Sequence, residues 1–133
     1  MARSRVIRSA SETTMYSAQL LDHFQNPRNS GEVASPDAFV ELENPACGDV
    51  LRLTLRVREG RILEIRFLAQ GCVATVACAS ALTELVAQKT LPQVRALRRE
   101  TLVDLVGGLP TESSHASHLA MDALCASLKQ LQG

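Results

Sequence analysis

The stretch Asn44-Pro45-Ala46-Cys47-Gly48-Asp49 sets a thiol and a carboxylate two residues apart on a turn. Pro45 fixes one backbone angle and removes a donor, and Gly48 permits a positive φ or a close backbone approach. A stiff turn carrying both groups is a half-site for a metal ion; it is equally a β-turn that contains a cysteine. Cys72 follows Gly71 just before a helical pattern, where unpaired amides and the helix dipole favour the thiolate, the form that binds metal and attacks sulfur. His115 falls in a polar loop or in the first turn of the last helix. There a neutral ring is favoured and can ligate, and a solvent-facing histidine stays open as the other reading. His118 and Asp122 fall opposite Leu124 on that helix and read as solvated. Cys78 is about 9 Å along the helix axis from Cys72 and two-thirds of a rotation round it, so it reads as a small buried hydrophobe. Cys125 borders the apolar stripe of the last helix and also reads as structural.

Elements that could position these groups follow from periodicity. Ala18, Leu20, Leu21 and Phe24 predict a helix from Ser17, stopped at Asn26-Pro27-Arg28-Asn29 and turned at Ser30-Gly31. Phe39, Val40 and Leu42 predict a first strand that ends at Asn44-Pro45. Val50, Leu51, Leu53, Leu55 and Val57 alternate with Arg52, Thr54, Arg56 and Arg58 as a half-buried strand does. Glu59-Gly60 is a hairpin turn, and Ile62, Ile65, Phe67 and Ala69 give a third strand. These strands form an antiparallel meander with one wet face. Cys47 enters the second strand and Cys72 leaves the third, so the meander brings both to one end of the sheet. Helices follow: one with Cys78, Leu82, Leu85 and Val86 on its core face, a short one opened by Pro92, one from Leu102 to Val106 capped by Thr101 and closed by Gly107-Gly108, and a last one buried along Ala120, Met121, Leu124, Leu128 and Leu131. The fold class is α+β, a three-stranded antiparallel sheet with helices packed on one face.

At 133 residues the chain makes one domain with a real core. Hydrophobic residues at 46%, charged residues at 21% and a formal net charge of +0 are ordinary globular values, without the basic face of a nucleic-acid binder. No apolar run approaches the roughly 18 residues of a membrane helix. Without a visible secretory signal, the four cysteines are expected as reduced thiols in the cytoplasm rather than as a disulfide framework. Residues 1–14, with Arg3, Arg5 and Arg8 among serines, read as a disordered N-terminal extension rather than an organellar transit peptide; the domain is 15–133.

Tyr16, Asp22-His23-Phe24-Gln25-Asn26-Pro27-Arg28-Asn29, Pro45-Ala46-Cys47-Gly48-Asp49-Val50, Gly71-Cys72, Leu109-Pro110, His115-x-Ser117, Leu119-Ala120 and Asp122-Ala123 occur in this order. In that order they resemble the U-type iron–sulfur cluster scaffold family, IscU and the N-terminal domain of NifU, from about Met15 onward. The short span between Cys72 and His115 resembles IscU more than the SufU branch. The resemblance implies a protein that is not an enzyme. It implies binding of iron or a nascent [2Fe–2S] cluster, or zinc in the same site, through Cys47, Asp49, Cys72 and His115. Its partners would be a cysteine desulfurase that supplies sulfur and the acceptor proteins that receive the cluster.

One position and one segment depart from the family pattern. The third family cysteine, a ligand and sulfur acceptor, is Ala116 here. The family's Leu-Pro-Pro-Val-Lys segment, read by its Hsp70-type chaperone, is Leu109-Pro110-Thr111-Glu112-Ser113, which removes the lysine and second proline of that contact. Three readings stand side by side: a divergent scaffold or carrier; a zinc-binding regulatory or interaction module of the desulfurase system that assembles nothing; and a thiol enzyme that carries persulfide on Cys72.

Overall fold

The structure, a computed structural model, describes residues 16–45 and 48–132. Residues 1–14, expected as an extension, lie outside the described residues, and so does Cys47.

Three strands, β1 (Ala38–Asn44), β2 (Asp49–Arg58) and β3 (Arg61–Gln70), form an antiparallel sheet in the order β1-β2-β3. Asp49, Leu51, Leu53 and Leu55 of β2 are buried at every second position, the face that a period of two must turn inward. Glu59 and Gly60 join β2 to β3, both at positive φ (54° and 75°), as a two-residue turn matched to strand twist requires. On β3 the buried residues Ile62 and Ile65 are three apart, which breaks alternation. A register shift at Arg56/Val57 resolves this: Arg56 pairs with Glu64 and Val57 with Ile62, so the extra residue returns both isoleucines to the core face.

Helices α1 (Ala18–Gln25), α2 (Val73–Val86), α3 (Leu91–Arg95), α4 (Arg99–Leu105) and α5 (Ser114–Gln132) complete the domain, with a 3₁₀ turn at Thr111–Ser113. Both α2 and α5 pack on the sheet and on each other. The opposite face carries Phe39, Arg52 and Leu68; the Arg52 guanidinium lies 5.4 Å from the Phe39 ring centroid and bonds Glu41 and Glu32. The α+β expectation, with one wet face, holds.

Four local expectations are corrected. Helix α2 has no single core stripe: Ala74, Ala77, Ala79, Ser80, Ala81 and Thr83 are buried along with Cys78, Leu82 and Val86, while Leu85 is only half-buried. It lies between α1, the sheet and α5, so burial all round erases the helical period. On α1, His23 is buried with Leu20 while Phe24 is exposed, because the His23 ring has a partner inside, Ser80 Oγ at 2.8 Å from Nδ1. Helix α4 begins at Arg99, with Arg98 as its N-cap; Thr101 lies inside the helix, and its N–H bonds the Arg98 carbonyl at 3.0 Å. Cys125 is exposed, one step beyond the stripe it was expected to border.

One contact protects the sheet margin. The side-chain amide of Gln130 on α5 accepts from the Phe39 N–H at 2.9 Å and donates to the Phe39 carbonyl at 2.6 Å. Strand β1 is an outer strand, and Gln130 closes both outward backbone groups at that point.

Candidate metal centre

The centre forms at the sheet end where β2 begins and β3 stops. Asp49 is the first residue of β2, pairs with Asn44 across to β1, and is 3% exposed. Cys72 is the N-cap of α2, with extended backbone and no side-chain capping bond of its own. Asp49 supplies that cap instead: its Oδ1 accepts the Cys72 N–H at 3.3 Å, putting a carboxylate at the positive end of a helix. Gly71, at φ 145°, makes the approach possible, since a Cβ there would lie 2.2 Å from Asp49 Oδ1.

His115 sits in the first turn of α5. Its Nδ1 is 3.2 Å from the Glu112 carbonyl, which only accepts, so Nδ1 carries a hydrogen and Nε2 is the ring nitrogen that faces the site. Nε2 is 3.1 Å from Asp49 Oδ2 and 3.7 Å from Cys72 Sγ, and Cys72 Sγ is 3.8 Å from Asp49 Oδ2. A tetrahedral ion with bonds of about 2.0 to 2.3 Å needs donors about 3.3 to 3.8 Å apart. The observed triangle is within about 0.3 Å of that without any rotamer change. With its hydrogen in place the Cys72 thiol donates to Asp49 Oδ2; with that hydrogen lost, the thiolate and the carboxylate face one point, as a cation requires.

Of the four residues expected to ligate, Asp49, Cys72 and His115 are therefore together, all three ligand atoms within 4.8 Å of one another. Cys47 lies outside the described residues, between the paired Asn44 and Asp49. Cys78 is fully buried, and burial, with a smaller effect of Cys72, pushes its thiol up to about 12; it is an apolar filler, as its spacing indicated. His118 and Asp122 are exposed. Ala116 is 1% exposed and belongs to the apolar core, so position 116 offers a buried methyl and no donor.

The sequence reading missed Thr75. Its hydroxyl is 2.7 Å from Asp49 Oδ2 and 3.3 Å from Cys72 Sγ. The signal was present: Thr75 is three residues after Cys72 at a helix start, hence on the same face. The close approach of Asp49 to Gly71 had no counterpart in the sequence pattern.

A thiol, a carboxylate and an imidazole gathered at one end of a three-stranded sheet backed by helices define a narrow class of small α+β domain. The family described as "NifU-like N terminal domain" matches residues 15–133, and the chain belongs to it. The chain is 40% identical over 110 residues to the iron-sulfur cluster assembly scaffold protein IscU 1 of Archaeoglobus fulgidus, covering 83% of this chain and 72% of that one. To the scaffold protein IscU of Aquifex aeolicus it is 34% identical over 116 residues, covering 86% and 74%. Among solved structures, the N-terminal NifU-like protein of Brucella abortus superposes with a TM-score of 0.73 over 89% of this chain and 94% of that one; at 22% identity this establishes the shared fold. No helix among the described residues is long and apolar enough to cross a membrane.

Proposed function

We propose that the protein is an iron–sulfur cluster assembly scaffold or carrier, acting in the cytoplasm and without catalytic turnover of its own. Cys72, Asp49 and His115, joined by Cys47, hold iron or a [2Fe–2S] cluster as cargo. A cysteine desulfurase supplies the sulfur, and acceptor proteins take the product. The observation that carries this reading is the triangle of Asp49 Oδ2, Cys72 Sγ and His115 Nε2, already at tetrahedral spacing. Thiolate and imidazole suit iron and zinc, and a carboxylate beside them is a harder, more exchangeable donor, which suits cargo that must leave. Two thiolates with His and Asp make a mixed site of the kind in which histidine replaces cysteine on one iron.

The buried methyl of Ala116 favours a second reading for one specific reason. It removes a thiolate from the iron and the thiol that would accept sulfur. The remaining Cys₂-His-Asp set suits zinc, so a zinc-binding interaction module of the desulfurase system is the competing function.

Anaerobic reconstitution with iron, sulfide and a desulfurase, followed by counts of iron, zinc and sulfide, separates the two. Iron with matching sulfide supports the scaffold, and zinc alone under all conditions overturns it. Ala116→Cys is expected to raise the rate and yield of cluster absorbance. The added sulfur must enter a packed core, so it also costs about 1–3 kcal/mol of stability. A parent that already forms a stable cluster at the rate of the variant shows that Ala116 is no defect.

A further inference from the structure

Thr75 stands at the third position of α2 and is 2% exposed. A hydroxyl buried to that extent must have a partner. Here it touches two of the three donor atoms of the metal centre, Asp49 Oδ2 at 2.7 Å and Cys72 Sγ at 3.3 Å. A hydroxyl has one hydrogen to give. The carboxylate is the nearer and stronger acceptor, so the hydrogen goes to Asp49 and Cys72 Sγ meets the lone-pair side of Thr75 Oγ1. With the Cys72 N–H on Oδ1, both carboxylate oxygens are tied to one turn of α2. The 2.7 Å bond is the shorter of the two ties, and it grips the oxygen that faces His115 Nε2.

We propose that Thr75 is a positioning residue of the metal centre, fixing the rotation of the Asp49 carboxylate so that Oδ2 stays aimed at the point shared by Cys72 Sγ and His115 Nε2. The inference rests on the reading that these three groups bind the cargo ion. Groups that orient a metal ligand from behind typically change metal affinity 10–100-fold when lost. Without the hydroxyl, the carboxylate loses the shorter of its two ties to α2 and keeps the 3.3 Å bond to the Cys72 amide, so Oδ2 is no longer held from behind at the shared point. A β-branched, isosteric valine keeps the packing of the buried site and removes only this tie.

The test uses the full chain, reduced and anaerobic, titrated with cobalt(II) alone and then competed with zinc(II). The parent is expected to develop the visible absorption of a tetrahedral cobalt–thiolate centre. Thr75→Val is expected to bind about 10–100-fold more weakly with a weakened or shifted spectrum, and Thr75→Ser, which restores the hydroxyl, to return to within a few-fold of the parent. Circular dichroism melts of the apo proteins establish that each variant is folded; should Thr75→Val not fold, Thr75→Ala against Thr75→Ser is read in the same way. A parent that binds cobalt beside a Thr75→Val protein of equal affinity and identical spectrum overturns the role of Thr75 and leaves the site reading standing. A parent with no cobalt–thiolate absorption overturns the site reading itself.

Discussion

Two buried groups outside the candidate centre, Cys78 and His23, make stability depend on pH. Burial pushes the Cys78 thiol from 9.0 up to about 12, with Cys72 adding to the effect. Above pH 9 the unfolded chain releases this proton and the folded chain keeps it, so stability is intact below pH 9 and falls as pH climbs toward 12. The slope approaches about 1.4 kcal/mol per pH unit. His23 works on the acid side. Burial holds its ring below the ordinary 6.5, helped by Arg28 and opposed by Glu84 and Asp22. Ser80 Oγ accepts from the Arg28 N–H at 2.9 Å and so has its own hydrogen to give to His23 Nδ1 at 2.8 Å, which suits a neutral ring. The unfolded chain therefore protonates first, and stability declines as pH drops below about 6.5. Urea titrations from pH 5 to 11 check both limbs. Cys78→Ala is expected to flatten the alkaline limb and His23→Gln the acid limb; a variant curve parallel to the parent at its own end of the range refutes the assignment.

Among the elements, the turns show how much each position is constrained. At Gly60 a Cβ would meet open space, so Gly60→Ala costs only the strain of φ 75°, about 1 kcal/mol. At Gly71 the same change drives a methyl into Asp49 Oδ1. Gly71→Ala is expected to lose more stability than Gly60→Ala and to abolish tight cobalt binding as well, measured by thermal melts and the cobalt titration; equal losses of stability with intact binding would show that Asp49 has room to move. The strands were legible in the sequence because one face of the sheet is wet, so the Leu51, Leu53 and Leu55 alternation survives, and the meander alone brings Asp49 and Cys72 to one end. His115 was legible as a residue type at a helix start, but its approach to Asp49 depends on how α5 crosses the sheet, which no local pattern encodes. Helix α2 was under-read because neighbours on every side remove its polar face. His23 was under-read because its spacing from Leu20 marked it as inward while its polarity argued the reverse; the Ser80 hydroxyl that reconciles the two lies 57 residues away.

At the scale of the whole molecule, the candidate centre draws on the start of β2, the start of α2 and the start of α5, three segments far apart in sequence. A donor set of this kind exists only when the domain is assembled, so an ion held there would couple its affinity to global folding and raise the stability of the native state with concentration. The last helix contributes at both ends. Its first turn carries His115, and its far end carries Gln130, whose amide covers the backbone of Phe39 on an outer strand. An uncovered outer strand is a template for another chain, and Phe39, 46% exposed, would add an apolar contact to such a pairing. Gln130 occupies that template at Phe39. Gln130→Ala is expected to cost about 1 kcal/mol in folding and, more tellingly, to make light scattering grow with protein concentration under conditions where the parent stays clear. If the two scatter alike at every concentration, the outer strand is protected by other means. Should the scattering rise as expected, one glutamine side chain separates a closed sheet edge from self-association.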